Sequence, residues 1–296
     1  MPSEGFNSLV ALMESQEELD MPIPERRATI EQMSTLTPPP DDVTFDEVDA
    51  GGVQSEWVTA PGATADRTIF YIHGGAYTIC SPRTHRRLTA ELSRVTGYRL
   101  LAVDYRLAPE HPFPAAVEDA VAAYRWLIGT GTPPEHIGIA GDSAGGGLTI
   151  ATLVALRDQD VPLPAAAVTI SPWADLEMTG ASMDALADAD PMITRNRLKD
   201  SADAYLAGTD ARTPLASPIY ADLTGLPPLF IHVGGRETLL DDAHRLAEKA
   251  KADGVDVTLE VEDEMIHVWH LFVGIAPESE AGCRRVAQFL KEKLTG

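Results

Sequence analysis

The stretch HIGIAGDSAGGGLTI sets Ser143 between Gly141 and Gly145 in a G-x-S-x-G pattern, where an apolar strand-like run gives way to a helix-like one. A serine hydroxyl is a poor nucleophile at neutral pH, so it attacks a carbonyl only when a tight turn presents it to a base. Gly141 and Gly145 leave room for such a turn, and the amide of Ala144 can then face the oxyanion that the attack creates. Late in the chain VEDEMIHVWHLF offers His267 and His270, and an imidazole with an ordinary pKa of about 6.5 accepts and returns a proton near neutrality. Between them in sequence, LPPLFIHVGGRETLLDDAHRL carries three carboxylates, Glu237, Asp241 and Asp242, any of which could hold an imidazole in one tautomer. Together these residue types support acyl transfer through a covalent serine intermediate, a chemistry that needs no metal and no organic cofactor.

A second glycine pair follows the strand-like TIFYIH, in the run His73, Gly74, Gly75, Ala76. Backbone without side chains lets an oxyanion approach closely, so the amides of Gly74 and Gly75 are expected to join that of Ala144 as donors. His73 reads as an organiser of this loop rather than a reacting group. Asp104, Tyr105, Arg106 and Glu110, in DYRLAPEHPFPAA, are expected to brace the loops through hydrogen bonds and an ion pair.

These residues must be positioned by regular elements. Residues 1 to about 36 read as helical, with Leu9, Leu12 and Met13 in one stretch, Ile30 and Met33 in another, and the break MPIP between them. VTFDEV and VQSEWVTA around AGG read as a hairpin, followed by the buried strand TIFYIH. Strands and helices then alternate: RLLAVDY, a helix from Ala115, HIGIAGD, a helix from Ala144, AAVTISPW, helical material near 183–207, LFIHVGG, a helix from Leu239, VTLEVED, and a last helix from about Ser279. Alternation of this kind predicts a mostly parallel sheet covered by helices on both faces. The segment from 175 to 220 is long for a crossover and is expected to add an insertion over the sheet's C-terminal edge, where ligands bind.

HGGAY, DYRLAPEHPFPAA and GDSAGG, in this order and spacing, resemble the hormone-sensitive-lipase-like esterases, or bacterial family IV lipolytic enzymes, from roughly Phe70 to the C-terminus. The resemblance implies the α/β-hydrolase fold: a mostly parallel eight-stranded sheet flanked by helices. It also implies N-terminal cap helices over residues 1–40, a catalytic domain over 41–296 and a cap insertion at about 175–220. By the same resemblance Ser143 is the nucleophile, His267 the base and Glu237 the acid, where the family more often has Asp, with Asp241 as the competitor for that role. The implied activity is hydrolysis of short-chain carboxylic esters, and the family's habit of pairing raises a homodimer as an expectation. Trp173 and Met192 are candidates for lining the substrate pocket. An amidase, peptidase or acyltransferase could use the same apparatus, and a binding protein could retain the fold, though such a protein is expected to lack a member of the triad.

Composition bounds the partners. The 296 residues carry a formal net charge of -22, which opposes nucleic-acid backbones and disfavours acidic substrates. No apolar run is long enough to span a bilayer, and the acidic start MPSEGFNSLVALMESQEELD lacks the features of a secretory leader, so a cytoplasmic location is the expectation. Cys80 and Cys283 match neither a metal cluster nor a disulfide framework and read as buried small apolar groups.

Overall fold

Two N-terminal helices, α1 (Glu4–Glu14) and α2 (Ile23–Leu36), precede three strands, β1 (Thr44–Asp49), β2 (Gln54–Thr59) and β3 (Thr64–Ile72). Next come α3 (Arg86–Thr96), β4 (Tyr98–Val103), α4 (Ala115–Gly129), β5 (Ile137–Asp142), α5 (Ala144–Asp158) and β6 (Ala166–Ile170). The chain finishes with α6 (Ser182–Ala185), α7 (Arg195–Leu206), β7 (Leu229–Gly234), α8 (Leu240–Ala252), β8 (Val257–Glu262) and α9 (Pro277–Lys293). This computed structural model describes residues 1–15 and 21–294, so the helical reading across 16–20 and the last two residues of the expected catalytic domain lie outside the described residues.

The eight strands form one sheet in the order β1-β2-β4-β3-β5-β6-β7-β8. β2 runs antiparallel to both β1 and β4, and every pairing from β4 to β8 is parallel. The glycines of the β1–β2 turn are required by its backbone, since Gly51 and Gly52 sit at φ 74 and 92. Side chains alternate across the central strands. Phe70 and Ile72, Leu101 and Val103, Ile137 and Ile139, Ile231 and Val233 pack into the layer shared with α4, α5 and α8. Ile69 and Tyr71, Leu100 and Ala102, Val168 and Phe230 pack into the opposite layer with α3 and α9. Burial on both faces is why these strands read as continuous apolar runs rather than alternating ones.

Some sequence expectations shift. Helix α3 was not anticipated, because its buried face includes Thr89, Ser93 and Thr96 beside Leu88 and Leu92. Those hydroxyls are satisfied locally, Thr89 by the carbonyl of His85 and Ser93 by that of Tyr98, so polar residues occupy a core face without cost in unmet hydrogen bonds. On α1 the buried residues are Phe6 and Val10, while Leu12 is exposed. Helix α2 buries no residue; Met33 is exposed, and the helix is tied down by polar contacts from Arg27 and Glu31. The helical material at 183–207 breaks into α6 and α7 around Pro191. Cys283 is buried as expected, but Cys80 is only half-buried, and both are free thiols. Among the described residues no helix is long and apolar enough to cross a membrane.

Candidate active site

Ser143 caps α5 at the C-terminal end of β5, with φ 52 and ψ -122, a conformation that non-glycine residues adopt only when their surroundings enforce it. The enforcement is visible. Its amide donates to the carbonyl of Ile170 (2.8 Å), and its own carbonyl accepts from the amides of Gly147 (3.1 Å) and Trp173 (2.9 Å). A Cβ on Gly145 would overlap the carbonyl oxygens of Ile72 and His73, and one on Gly141 would lie 2.6 Å from Thr149 Oγ1. The two glycines of the pattern are therefore dictated by backbone contact at the strand-helix junction.

Three side chains converge at this point. His267 Nε2 lies 3.0 Å from Ser143 Oγ, and His267 Nδ1 lies 2.7 Å from Glu237 Oε2. Glu237 is sealed from solvent, and its second oxygen accepts from the amide of Gly234 (3.1 Å), which fixes the carboxylate's orientation. The loop that brings His267 in is held by Val268, at φ 43, whose amide donates to Ser171 Oγ (3.1 Å). Burial disfavours charge on His267, but the hydrogen bond to Glu237 and the Glu237 charge outweigh it, so its pKa stands above the ordinary 6.5.

The other candidates go elsewhere. Asp241 Oδ2 accepts from the amide of Ser182 (2.9 Å), and Asp242 Oδ2 accepts from the amides of Ala174 (2.8 Å) and Asp175 (2.9 Å). Burial pushes the Asp242 carboxyl up to about 7. His270 points away from Ser143 and meets His232, Nε2 to Nδ1, at 3.0 Å.

The loop after β3 lies directly against Ser143: a Cβ on Gly74 would come 3.1 Å from Ser143 Cβ. One expectation needs correction here. The Gly74 amide is already donated to Asp142 Oδ1 (3.1 Å), so it braces the loop and is not a free oxyanion donor. Immediately beyond it, Gly75, Ala76 and Tyr77 have φ of 115, 51 and 61, a run of turn conformations that can aim successive amides into one concavity. Ala144, as the first residue of α5, has an amide with no partner inside its helix. His73 is held neutral, burial and neighbouring His85 pushing its pKa down to about 3; it stacks on Tyr105 at 4.4 Å. Tyr105 donates to the His73 carbonyl (3.0 Å), Arg106 pairs with Asp119, and Glu110 pairs with Arg27 of α2.

Trp173 is fully buried beside the Ser143 backbone, its indole nitrogen donating to Asp175 O (3.1 Å). Met192 packs with Phe6, Val10, Met265, Ile266 and Trp269, between α1 and the His267 loop. Sequence reasoning missed two positioning residues. Asp142, inside the G-x-S-x-G pattern, collects Tyr71 Oη (2.7 Å), the Gly74 amide and His85 Nε2 (3.3 Å), joining both loops around Ser143. Asp190 accepts from the amides of Met192 and Ile193 and from Thr238, the neighbour of Glu237. A carboxylate at the end of a wholly apolar strand was a usable sign for Asp142; Asp190 left none.

A family model for the alpha/beta hydrolase fold matches residues 69–271. An acetyl-hydrolase of Streptomyces hygroscopicus is 49% identical over 261 residues, 88% of this chain and 86% of that protein. An esterase of Acinetobacter venetianus is 33% identical over 282 residues, covering 95% of this chain and 93% of its own. The crystal structure of an esterase from the bacterial hormone-sensitive lipase family matches with a TM-score of 0.96 and 46% identity, over 99% of both chains. With the strained serine, the glycine loop and the sheet order all in place, the chain belongs to the α/β-hydrolase fold family and, within it, to the hormone-sensitive-lipase-like esterases.

Proposed function

We propose that the protein hydrolyses short-chain carboxylic esters through a Ser143, His267, Glu237 triad and an acyl-enzyme intermediate. The observation that carries this reading is the unbroken chain from Ser143 Oγ to His267 Nε2 (3.0 Å) and from His267 Nδ1 to Glu237 Oε2 (2.7 Å). His267 takes the serine proton as Oγ attacks the ester carbonyl, and the oxyanion is held by amides of Gly75, Ala76 and Ala144. His267 then returns the proton to the leaving alkoxide. Water repeats the attack with His267 again as base, freeing the carboxylic acid. Glu237 keeps the proton on Nδ1 and stabilises the imidazolium without taking the proton itself.

The preference for short acyl chains rests on the wall next to the serine. Tyr77 stacks on Tyr205 of α7 at 3.9 Å, Phe113 meets Tyr205 edge-on, and Trp173 lies 6.0 Å from Tyr77. Tyr77, Tyr205 and Trp173 are fully buried and Phe113 is half-buried, and we read these rings as limiting the depth beside Ser143. Residues 1–40 and the insertion at 175–220 act as the cap, with Tyr205 as the insertion's contribution to the wall.

The test is hydrolysis of p-nitrophenyl esters from acetate to palmitate by the wild type and by Ser143→Ala, with folding checked by circular dichroism. Activity confined to short chains and lost in the variant is expected. A folded wild type inactive on every ester, or an active Ser143→Ala variant, would overturn the reading.

A further inference from the structure

The sheet's last two strands carry a polar cluster for which the proposed mechanism has no use. His232 of β7 lies opposite Glu260 of β8, and Glu262 follows two residues along β8. The two-residue repeat of a strand puts all three on one face of the sheet. One ligand atom from each of the three falls within 4.8 Å of the other two. His232 is fully buried, yet its Nε2 has no hydrogen-bond partner among the described residues. Glu262 Oε1 lies 3.7 Å from that nitrogen, too far for a hydrogen bond.

The ring is otherwise fixed. Its Nδ1 lies 3.0 Å from His270 Nε2, and the rings of Phe230 and Trp269 pack on it at 5.4 and 4.7 Å. A metal-bound histidine needs this arrangement: one nitrogen bare, the other braced by a hydrogen bond that sets the tautomer. With an ion on Nε2 the ring proton resides on Nδ1, where His270 Nε2 accepts it.

We propose that His232 Nε2, Glu260 and Glu262 form a binding site for a divalent first-row transition ion, with Zn²⁺ the best match. One imidazole nitrogen and two carboxylate oxygens suit Zn²⁺, whereas Mg²⁺ and Ca²⁺ prefer oxygen throughout. Zinc bonds of about 2.0–2.2 Å place tetrahedral donor atoms about 3.3–3.6 Å apart, so the carboxylates draw in by about 1 Å on binding. Glu262 is half-exposed and free to make that movement, and its side of the cluster is the ion's way in. Glu260 is held by the guanidinium of Arg285 from α9, but each of its oxygens keeps a second lone pair for the ion. The site shares no ligand with the triad, although His270 follows His267 by three residues.

The test uses the full chain, stripped of metal and titrated with Zn²⁺ alone by calorimetry, with the ligand-field absorption of Co²⁺ as a second readout. One ion per chain is expected. Glu262→Gln, at a half-exposed position that leaves the fold intact, weakens binding at least tenfold, and His232→Ala abolishes it. His267→Ala, which removes the imidazole facing Ser143, leaves the affinity unchanged. Should His232→Ala not fold, Glu262→Gln decides the matter alone. No uptake by the wild type up to millimolar Zn²⁺, equal binding by wild type and Glu262→Gln, or loss of binding only in His267→Ala would each overturn the proposal. None of these readouts uses turnover, so their failure is distinguishable from failure of the esterase reading.

Discussion

Replacing Glu237, the proposed acid, by Gln separates what its charge does from what its shape does. In the structure one oxygen of Glu237 accepts from the Gly234 amide (3.1 Å) and the other faces His267 Nδ1 (2.7 Å). The Gly234 amide demands an acceptor, so the glutamine oxygen takes that place and its NH₂ turns toward Nδ1. Two donors cannot share one hydrogen bond, and the fully buried site admits no water between them. The ring proton therefore shifts to Nε2, which faces Ser143 Oγ, and His267 has no lone pair for the serine proton. The imidazolium formed during attack also loses its counter-charge. In a serine triad this change costs about 10⁴ in kcat; allowing for some recovery by rotation, we expect a loss of about 10³–10⁴, or about 4–5.5 kcal/mol at 1.36 kcal/mol per decade. KM should barely move, because the lost interaction belongs to the transition state. Initial rates on a short p-nitrophenyl ester, with thermal unfolding as the control, measure both. A folded Glu237→Gln enzyme keeping more than about a tenth of wild-type kcat, or an Asp241→Asn enzyme equally dead, would refute the reasoning.

The raised pKa of His267 has a sign that can be checked. The base works only when neutral, so kcat/KM should fall as pH drops through a midpoint above 6.5, and Glu237→Gln should move the midpoint of its residual activity downward. The same shift stabilises the fold, a contribution complete below about 6.5 and lost as pH rises through the higher folded-state value. Asp142→Ala strands the Gly74 amide and the Tyr71 hydroxyl, each orphan costing about 1–3 kcal/mol, and loosens the oxyanion loop. We expect kcat to fall about 10- to 100-fold, short of the loss on removing a donor outright, and Asp142→Asn, which keeps the shared acceptor, to restore most of it. Phe6→Ala removes the buried aromatic ring by which α1 clusters with Met265, Ile266 and Trp269, at about 3–5 kcal/mol of docking energy. Hydrogen exchange should then quicken in 4–14 and 265–272 together; quickening in 4–14 alone would show that α1 does not support the His267 loop.

How much of this could be read from the chain depends on whether a residue's partner is near or far in sequence. The β1–β2 hairpin and the alternating strands and helices were legible because each rests on local periodicity and on turn glycines. Helix α3 was not, because Thr89, Ser93 and Thr96 solve their burial with carbonyls a few residues away and so look like surface. The proposed acid shows the limit most clearly. Glu237, Asp241 and Asp242 lie within six residues, and all three meet well-defined partners. What separates them is where α8 begins. Glu237 precedes the helix and hangs on the turn leaving β7, at the height of the His267 loop. Asp241 and Asp242 lie in the helix's first turn, where their side chains reach the amides of Ser182 and Asp175 in the long insertion and of Ala174 just before it. Sequence placed the helix start within one residue, at Leu239 rather than Leu240, but not the amides in and just before the insertion, 59 to 68 residues upstream of the carboxylates that they hold. The same separation hid the bond from Gly74 to Asp142, 68 residues apart, which takes an amide that the glycine pattern alone assigns to the oxyanion. A motif thus identifies which residue types stand at a strand exit, and the long-range backbone partners decide which of them are left free to react.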